Sequence, residues 1–110
     1  MRHAMSNQFD FVSVVKKPTV HYGGRSVNHV LKMEDGSQKT IGVFLPSEQP
    51  MTFEAHVKER VEITSRQCVV QIGEQGEFVQ YTSGESFIVP QDSIFKVQCT
   101  DVVDYVCHFD

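Results

Sequence analysis

Gly84-Glu85-Ser86-Phe87-Ile88-Val89-Pro90, continued by Gln91-Asp92-Ser93-Ile94-Phe95, is the stretch that decides the fold. Glycine opens a turn because it takes positive φ without a steric penalty. The apolar run behind it is short and rich in the aromatic and β-branched residues that favour a pleated strand. Proline then ends the strand, having no N–H to give to a ladder. Turn, short strand and stop within seven residues make the corner of a β-barrel.

The same grammar extends outward from this corner. Apolar runs over residues 12–16, 19–22, 27–33, 39–45, 51–55, 60–65, 68–72, 77–81, 86–89, 95–100 and 103–109 are short and separated by turn residues, which predicts strands. Asp35-Gly36 between two such runs is a hairpin signal. No stretch of ten residues carries a clean helical period; 54–62 has the propensity for a helical turn, but the β-branched run after it favours strand. Linkers, repeats and low-complexity segments are absent. Strands this short must close on themselves, because open edges aggregate. The expected fold is all-β, a jelly-roll-like barrel of about ten short antiparallel strands.

A chain of 110 residues has room for one core. One domain is expected over residues 9–110, with 1–8 a disordered tail or residues added ahead of a natural start at Met5. The net charge of -4 argues against nucleic-acid partners, which select a basic face. The opening residues lack the apolar core of a signal peptide, and no apolar run is long enough to span a bilayer. Cys68, Cys99 and Cys107 are odd in number and lack metal-ribbon spacing, so they read as buried apolar residues in a reducing cytoplasm.

Three more segments carry a resemblance. Met51-Thr52-Phe53-Glu54-Ala55-His56-Val57-Lys58-Glu59-Arg60-Val61-Glu62-Ile63-Thr64-Ser65 stands where the first cupin motif belongs, and residues 84–90 have the glycine-to-proline spacing of the second. With Thr40-Ile41-Gly42-Val43-Phe44-Leu45-Pro46 and Asp104-Tyr105-Val106-Cys107-His108, the chain from Arg25 onward resembles the small cupins of the pyrimidine/purine nucleoside phosphorylase family. Arg66 and Asp92 depart from it, each standing where a turn glycine is usual. The resemblance implies phosphorolysis of purine and pyrimidine nucleosides to free base and α-D-ribose 1-phosphate, with inorganic phosphate as co-substrate, no cofactor, and a homodimer. The segment over 9–15 is a candidate for pairing across that dimer.

Metal-binding cupins use a His-x-His, a Glu and a His five residues after the second-motif proline. Here that last position is Phe95, and residues 52–55 hold no His. His56 would place Lys58 as its partner ligand, and an ammonium repels a cation. No metal is expected. Phosphorolysis needs donors for the phosphate, a carboxylate to orient the ribose hydroxyls or balance the cationic sugar, and a donor for the leaving base as it gathers negative charge. On 53–63, strand alternation puts Phe53, Val57, Glu59, Val61 and Ile63 inside, and His56, Lys58, Arg60, Glu62 and Thr64 outside. Glu59 on an apolar face is the catalytic candidate, set against a strand-end Glu reaching solvent. Arg25 after Gly23-Gly24, Lys58 through a bulge, and Ser93 after the Pro90 turn are the phosphate candidates; the competing reading of each is a solvated loop residue. Phe53, Phe87, Phe95 and Tyr105 are candidates to meet a base, and Gln91 to read its edge, against core packing and a solvated loop. His21, His29 and His108 read as scattered strand residues. The alternatives are a non-catalytic cupin that binds a small ligand and, further off, a metal-dependent cupin enzyme.

Overall fold

The computed structural model describes residues 7–109, so residues 1–6 of the expected tail lie outside the described residues. Eleven strands form among them: β1 (Ser13–Val14), β2 (Thr19–His21), β3 (Ser26–Lys32), β4 (Gln38–Phe44), β5 (Met51–Ala55), β6 (Glu59–Ser65), β7 (Gln67–Ile72), β8 (Val79–Thr82), β9 (Ser86–Val89), β10 (Ser93–Gln98) and β11 (Val103–His108). Each falls on a run read from the sequence. The one helical element among the described residues is a single 3-10 turn, Tyr22–Gly24, at the Gly-Gly pair.

Two antiparallel sheets face each other. The larger runs β1-β3-β4-β11-β6-β9, with β2 sharing the free edge of β3 beside β1; the smaller runs β5-β10-β7-β8. The alternate residues that point between the sheets build the core, including Phe44, Met51, Val61, Ile63, Val70, Phe87, Val89, Phe95, Val97 and Val103. Tyr81, Phe87, Phe95, Phe53, Phe44 and Tyr105 form one string of neighbouring rings through it, with centroids 4.1 to 5.9 Å apart.

The corner that decided the fold behaves as read. Gly84 has φ 92°, its N–H bonds the Ile63 carbonyl, and β9 leaves from it to pair with β6. The two glycine substitutes, Arg66 and Asp92, sit at φ 61° and 59°, so both turns keep the left-handed backbone that glycine would take freely. Ser83 N–H bonds the Arg66 carbonyl at 2.9 Å and Ser93 Oγ donates to Pro90 at 2.6 Å, which closes each turn.

One expectation needs correction. Val57 does not point inside; it is 52% exposed. Residues 56–58 leave the strand to turn between β5 and β6, and the turn breaks the alternation. Within the chain, the end of the N-terminal run pairs with β3 through Ser13 and Val14, and Val15 N–H bonds the Val30 carbonyl; β1 ends the sheet.

Candidate active site

A cavity of about 410 Å³ opens between the sheets. The larger sheet contributes His21 from β2, Asn28 from β3, Thr40 and Phe44 from β4, Glu59 and Val61 from β6, and Tyr105 and Cys107 from β11. The smaller sheet gives Thr52, Phe53, Glu54 and Phe95, while His56 comes from the β5–β6 turn and Phe109 from the residue after β11.

Four of the sequence candidates therefore meet around one cavity: Glu59 and Tyr105 from the larger sheet, Phe53 and Phe95 from the smaller. Phe87 is buried behind Phe95, ring to ring at 5.9 Å, and does not reach the cavity. Arg25, Lys58, Ser93 and Gln91 lie outside it. The Arg25 guanidinium donates to the Pro46 carbonyl at 2.6 Å and so ties the start of β3 to the segment after β4. Lys58 is exposed in the β5–β6 turn, Gln91 is exposed after β9, and the Ser93 hydroxyl is spent on its own turn. In their place the basic groups on the cavity wall are two imidazoles, His21 and His56. Neither was readable from local parity: His56 sits where the turn resets the alternation, and His21 arrives through pairing of β2 with β3.

Register explains the polar end of the cavity. Asn28, Gly42 and Tyr105 stand in one row across β3, β4 and β11. A Cβ on Gly42 would lie 2.3 Å from the Val27 carbonyl oxygen and 2.6 Å from Asn28 Cβ. Because Gly42 has none, Asn28 reaches over it and Nδ2 donates to the Tyr105 hydroxyl at 3.2 Å. Phe44 stacks on the Tyr105 ring at 4.1 Å and 11°. Burial raises the Tyr105 pKa, so its hydroxyl keeps its proton and works as a donor.

Glu59 is the one half-buried carboxyl on this wall. It pairs with Val89 across β9, and Cys107 Sγ donates to its Oε1 at 3.3 Å. Burial raises its pKa; the Cys107 bond and the charge of nearby His56 pull weakly the other way.

On the reverse face of the same strands, Lys39 Nζ donates to Nδ1 of buried His108 at 2.8 Å, and His108 Nε2 donates to Glu62 Oε1 at 2.9 Å. Burial, reinforced by the Lys39 charge, lowers the His108 pKa. At the far end of the barrel, one step past the pair Gln98–Val69, Cys99 comes opposite Cys68, both buried and free. Burial pushes the Cys68 thiol up to about 12.

A metal fits this donor set poorly. Among the described residues no three His, Cys, Asp or Glu side chains converge, and the second-motif ligand position is filled by Phe95, stacked on Phe53 at 5.4 Å.

The paired antiparallel sheets and the cavity between them define a small protein of the cupin class. Residues 16–109 match the family described as pyrimidine/purine nucleoside phosphorylase, and the chain belongs to that family. It is 50% identical over 105 residues to a protein of that name from Acinetobacter baumannii, covering 96% of this chain and 97% of the relative. A namesake from Methylococcus capsulatus is 42% identical over 103 residues, covering 94% and 98%. A crystal structure of a protein of unknown function from Acinetobacter sp. ADP1 superposes with a TM-score of 0.93 at 50% identity, covering 96% of this chain and all of that one. Hydroxypropylphosphonic acid epoxidase from S. wedmorenis shares the fold alone, with a TM-score of 0.69 at 9% identity over 86% of this chain and 56% of that chain. No helix among the described residues is long and apolar enough to cross a membrane.

Proposed function

We propose that this chain splits purine and pyrimidine nucleosides with inorganic phosphate, giving the free base and α-D-ribose 1-phosphate, inside the cavity and without a metal. The observation that carries the reading is a protonatable carboxyl, Glu59, set in an aromatic-walled cavity of nucleoside size in a member of this family. Phosphate brings the nucleophile, so the protein needs no activated Ser or Cys. Its remaining work is to hold phosphate, sugar and base in line and to stabilise an oxocarbenium-like transition state.

The cavity divides accordingly. His21 and His56 are the groups that offer N–H donors, and in their charged form a cation, to phosphate. Thr40, Thr52 and the Asn28–Tyr105 pair supply neutral donors suited to ribose hydroxyls. Phe53 and Phe109 present rings to the base; stacking accepts any base, so a broad specificity follows. The active form is a homodimer acting in the cytoplasm, which the three buried cysteines, none in a disulfide, and the exposed apolar side chains Phe11, Val14 and Ile88 support.

Incubation with uridine or adenosine, with and without phosphate, tests the reaction: phosphate-dependent release of free base is expected. No such release from any nucleoside overturns it and favours a ligand-binding module. Sedimentation of the purified protein reads the dimer directly.

A further inference from the structure

We propose that Glu59 acts in its protonated form, as the acid that hands a proton to the departing base, and that Phe109 is a positioning residue that keeps the proton on it. The inference rests on the phosphorylase reading and assigns the role of its carboxyl.

The strand register builds an apolar notch around this one side chain. β6 and β11 run antiparallel with Arg60 opposite His108 and Val61 opposite Cys107. Phe109, the residue after β11, lines the same cavity as Glu59. Val89 faces Glu59 from β9 and is fully buried, as Val61 is beside it. The carboxyl thus has apolar neighbours on β6 and β9, and on the third side a thiol at 3.3 Å. A thiol is a weak donor and does little to stabilise an anion. No arginine or lysine pairs with Glu59 among the described residues, and the carboxyl's one hydrogen bond is that from Cys107. Of the other ionisable groups on the cavity wall, His56 in the turn favours the anion, while Glu54 on β5, His21 on β2 and Tyr105 on β11 line the space that the ligand fills. A carboxyl built to stay ionised would have strong donors; this one sits among apolar neighbours that favour its protonated form, as a general acid requires.

The step balances. A phosphate oxygen forms the bond to C1′ while the C1′–N bond breaks, and its electron pair passes into the base. The base takes the proton from Glu59, leaving a carboxylate. The proton of the hydrogen phosphate, released once the C–O bond has formed, restores the acid, so the cycle consumes no net proton. Both base classes become basic as the bond breaks, so one acid serves both.

The decisive comparison is Glu59→Gln on two substrates. Inosine leaves as an anion unless protonated, whereas 7-methylguanosine carries its positive charge already and leaves without an acid. Glu59→Gln is expected to lose about 100-fold or more in kcat on inosine, the scale of general acid catalysis, and to keep its rate on 7-methylguanosine within about threefold. Equal losses on both substrates, or no loss on inosine, overturn the acid role while leaving the phosphorylase reading intact. Wild-type protein that releases no base from either substrate overturns both. Phe109→Ala gives a second readout through the wild-type carboxyl: water entering the notch moves the fall of kcat with rising pH to lower pH on inosine and not on 7-methylguanosine. An unmoved profile on inosine contradicts the positioning role.

Discussion

Gly42→Ala is the sharpest test of how the cavity wall is built. Gly42 has ordinary strand backbone, so an alanine there meets no conformational penalty; the obstacle is space alone. Its Cβ would sit 2.3 Å from the Val27 carbonyl oxygen and 2.8 Å from Asn28 Cα, both backbone atoms that no rotamer change can move. β3 must be displaced by about 1 Å to reach ordinary contact, which overpacking data put at about 1–3 kcal/mol. The displaced Asn28 also loses its bond to Tyr105, adding about 1 kcal/mol. The sum is about 2–4 kcal/mol, or roughly 8–16 °C in Tm for a domain of this size. Gly84→Ala is the matched control. Nothing lies within 4 Å of its Cβ, but its φ of 92° strains any L-residue, for about 1 kcal/mol. Thermal unfolding followed by circular dichroism reads both. If Gly42→Ala melts within about 2 °C of wild type, or less far below it than Gly84→Ala does, the row Asn28–Gly42–Tyr105 is not packed as described.

Three further outcomes are expected. Glu59→Gln stabilises the protein at neutral pH: with its pKa raised by folding, Glu59 supports the fold below its unfolded pKa and loses that support as pH rises through its folded pKa. Denaturant titrations at pH 4 and pH 8 check this, and a gain that does not grow with pH contradicts it. His108 has the opposite sense: its pKa is lowered, so its contribution is present above the unfolded imidazole pKa and is lost as pH falls through the folded one. Replacing it with Gln is expected to flatten the wild-type loss of stability on acidification below about pH 6.5; an unchanged acid limb rules the assignment out. Cys68 and Cys99 are buried and the Cys68 thiol is held at about 12, so a disulfide-exchange reagent at pH 8 labels neither quickly in the native protein and both after unfolding; fast native labelling means the far end of the barrel opens.

What the sequence revealed and what it withheld divide along a physical line. Strands, turns and the corner at 84–90 depend on neighbours a few residues away, and all eleven strands were legible from β-branched runs and turn residues. Arg66 and Asp92 were readable as positive-φ positions for the same reason. The site depends on register between strands distant in sequence. Alternation along 53–63 found Glu59 and Phe53, but it misplaced Val57 and missed His56 because the turn over 56–58 resets the pleat. Arg25, Lys58, Ser93 and Gln91 were chosen on local chemistry, and none of them lines the cavity. Asn28 and Thr40 carried no local signal. Gly42 did: a glycine inside a strand marks a close backbone approach, and it lies between the two residues it allows to meet.

The string of rings has a use in the spectrometer. The chain holds three tyrosines and no tryptophan, and each tyrosine touches a ring of that string: Tyr81 against Phe87, Tyr22 against Phe53, Tyr105 against Phe44. Two of them, Tyr22 and Tyr105, contact phenylalanines on the cavity wall. Tyrosine emission therefore reports on the core and on the rim of the candidate site, where Tyr22 is half exposed. Phosphate is transparent in that region, so its binding can be titrated on the unlabelled protein.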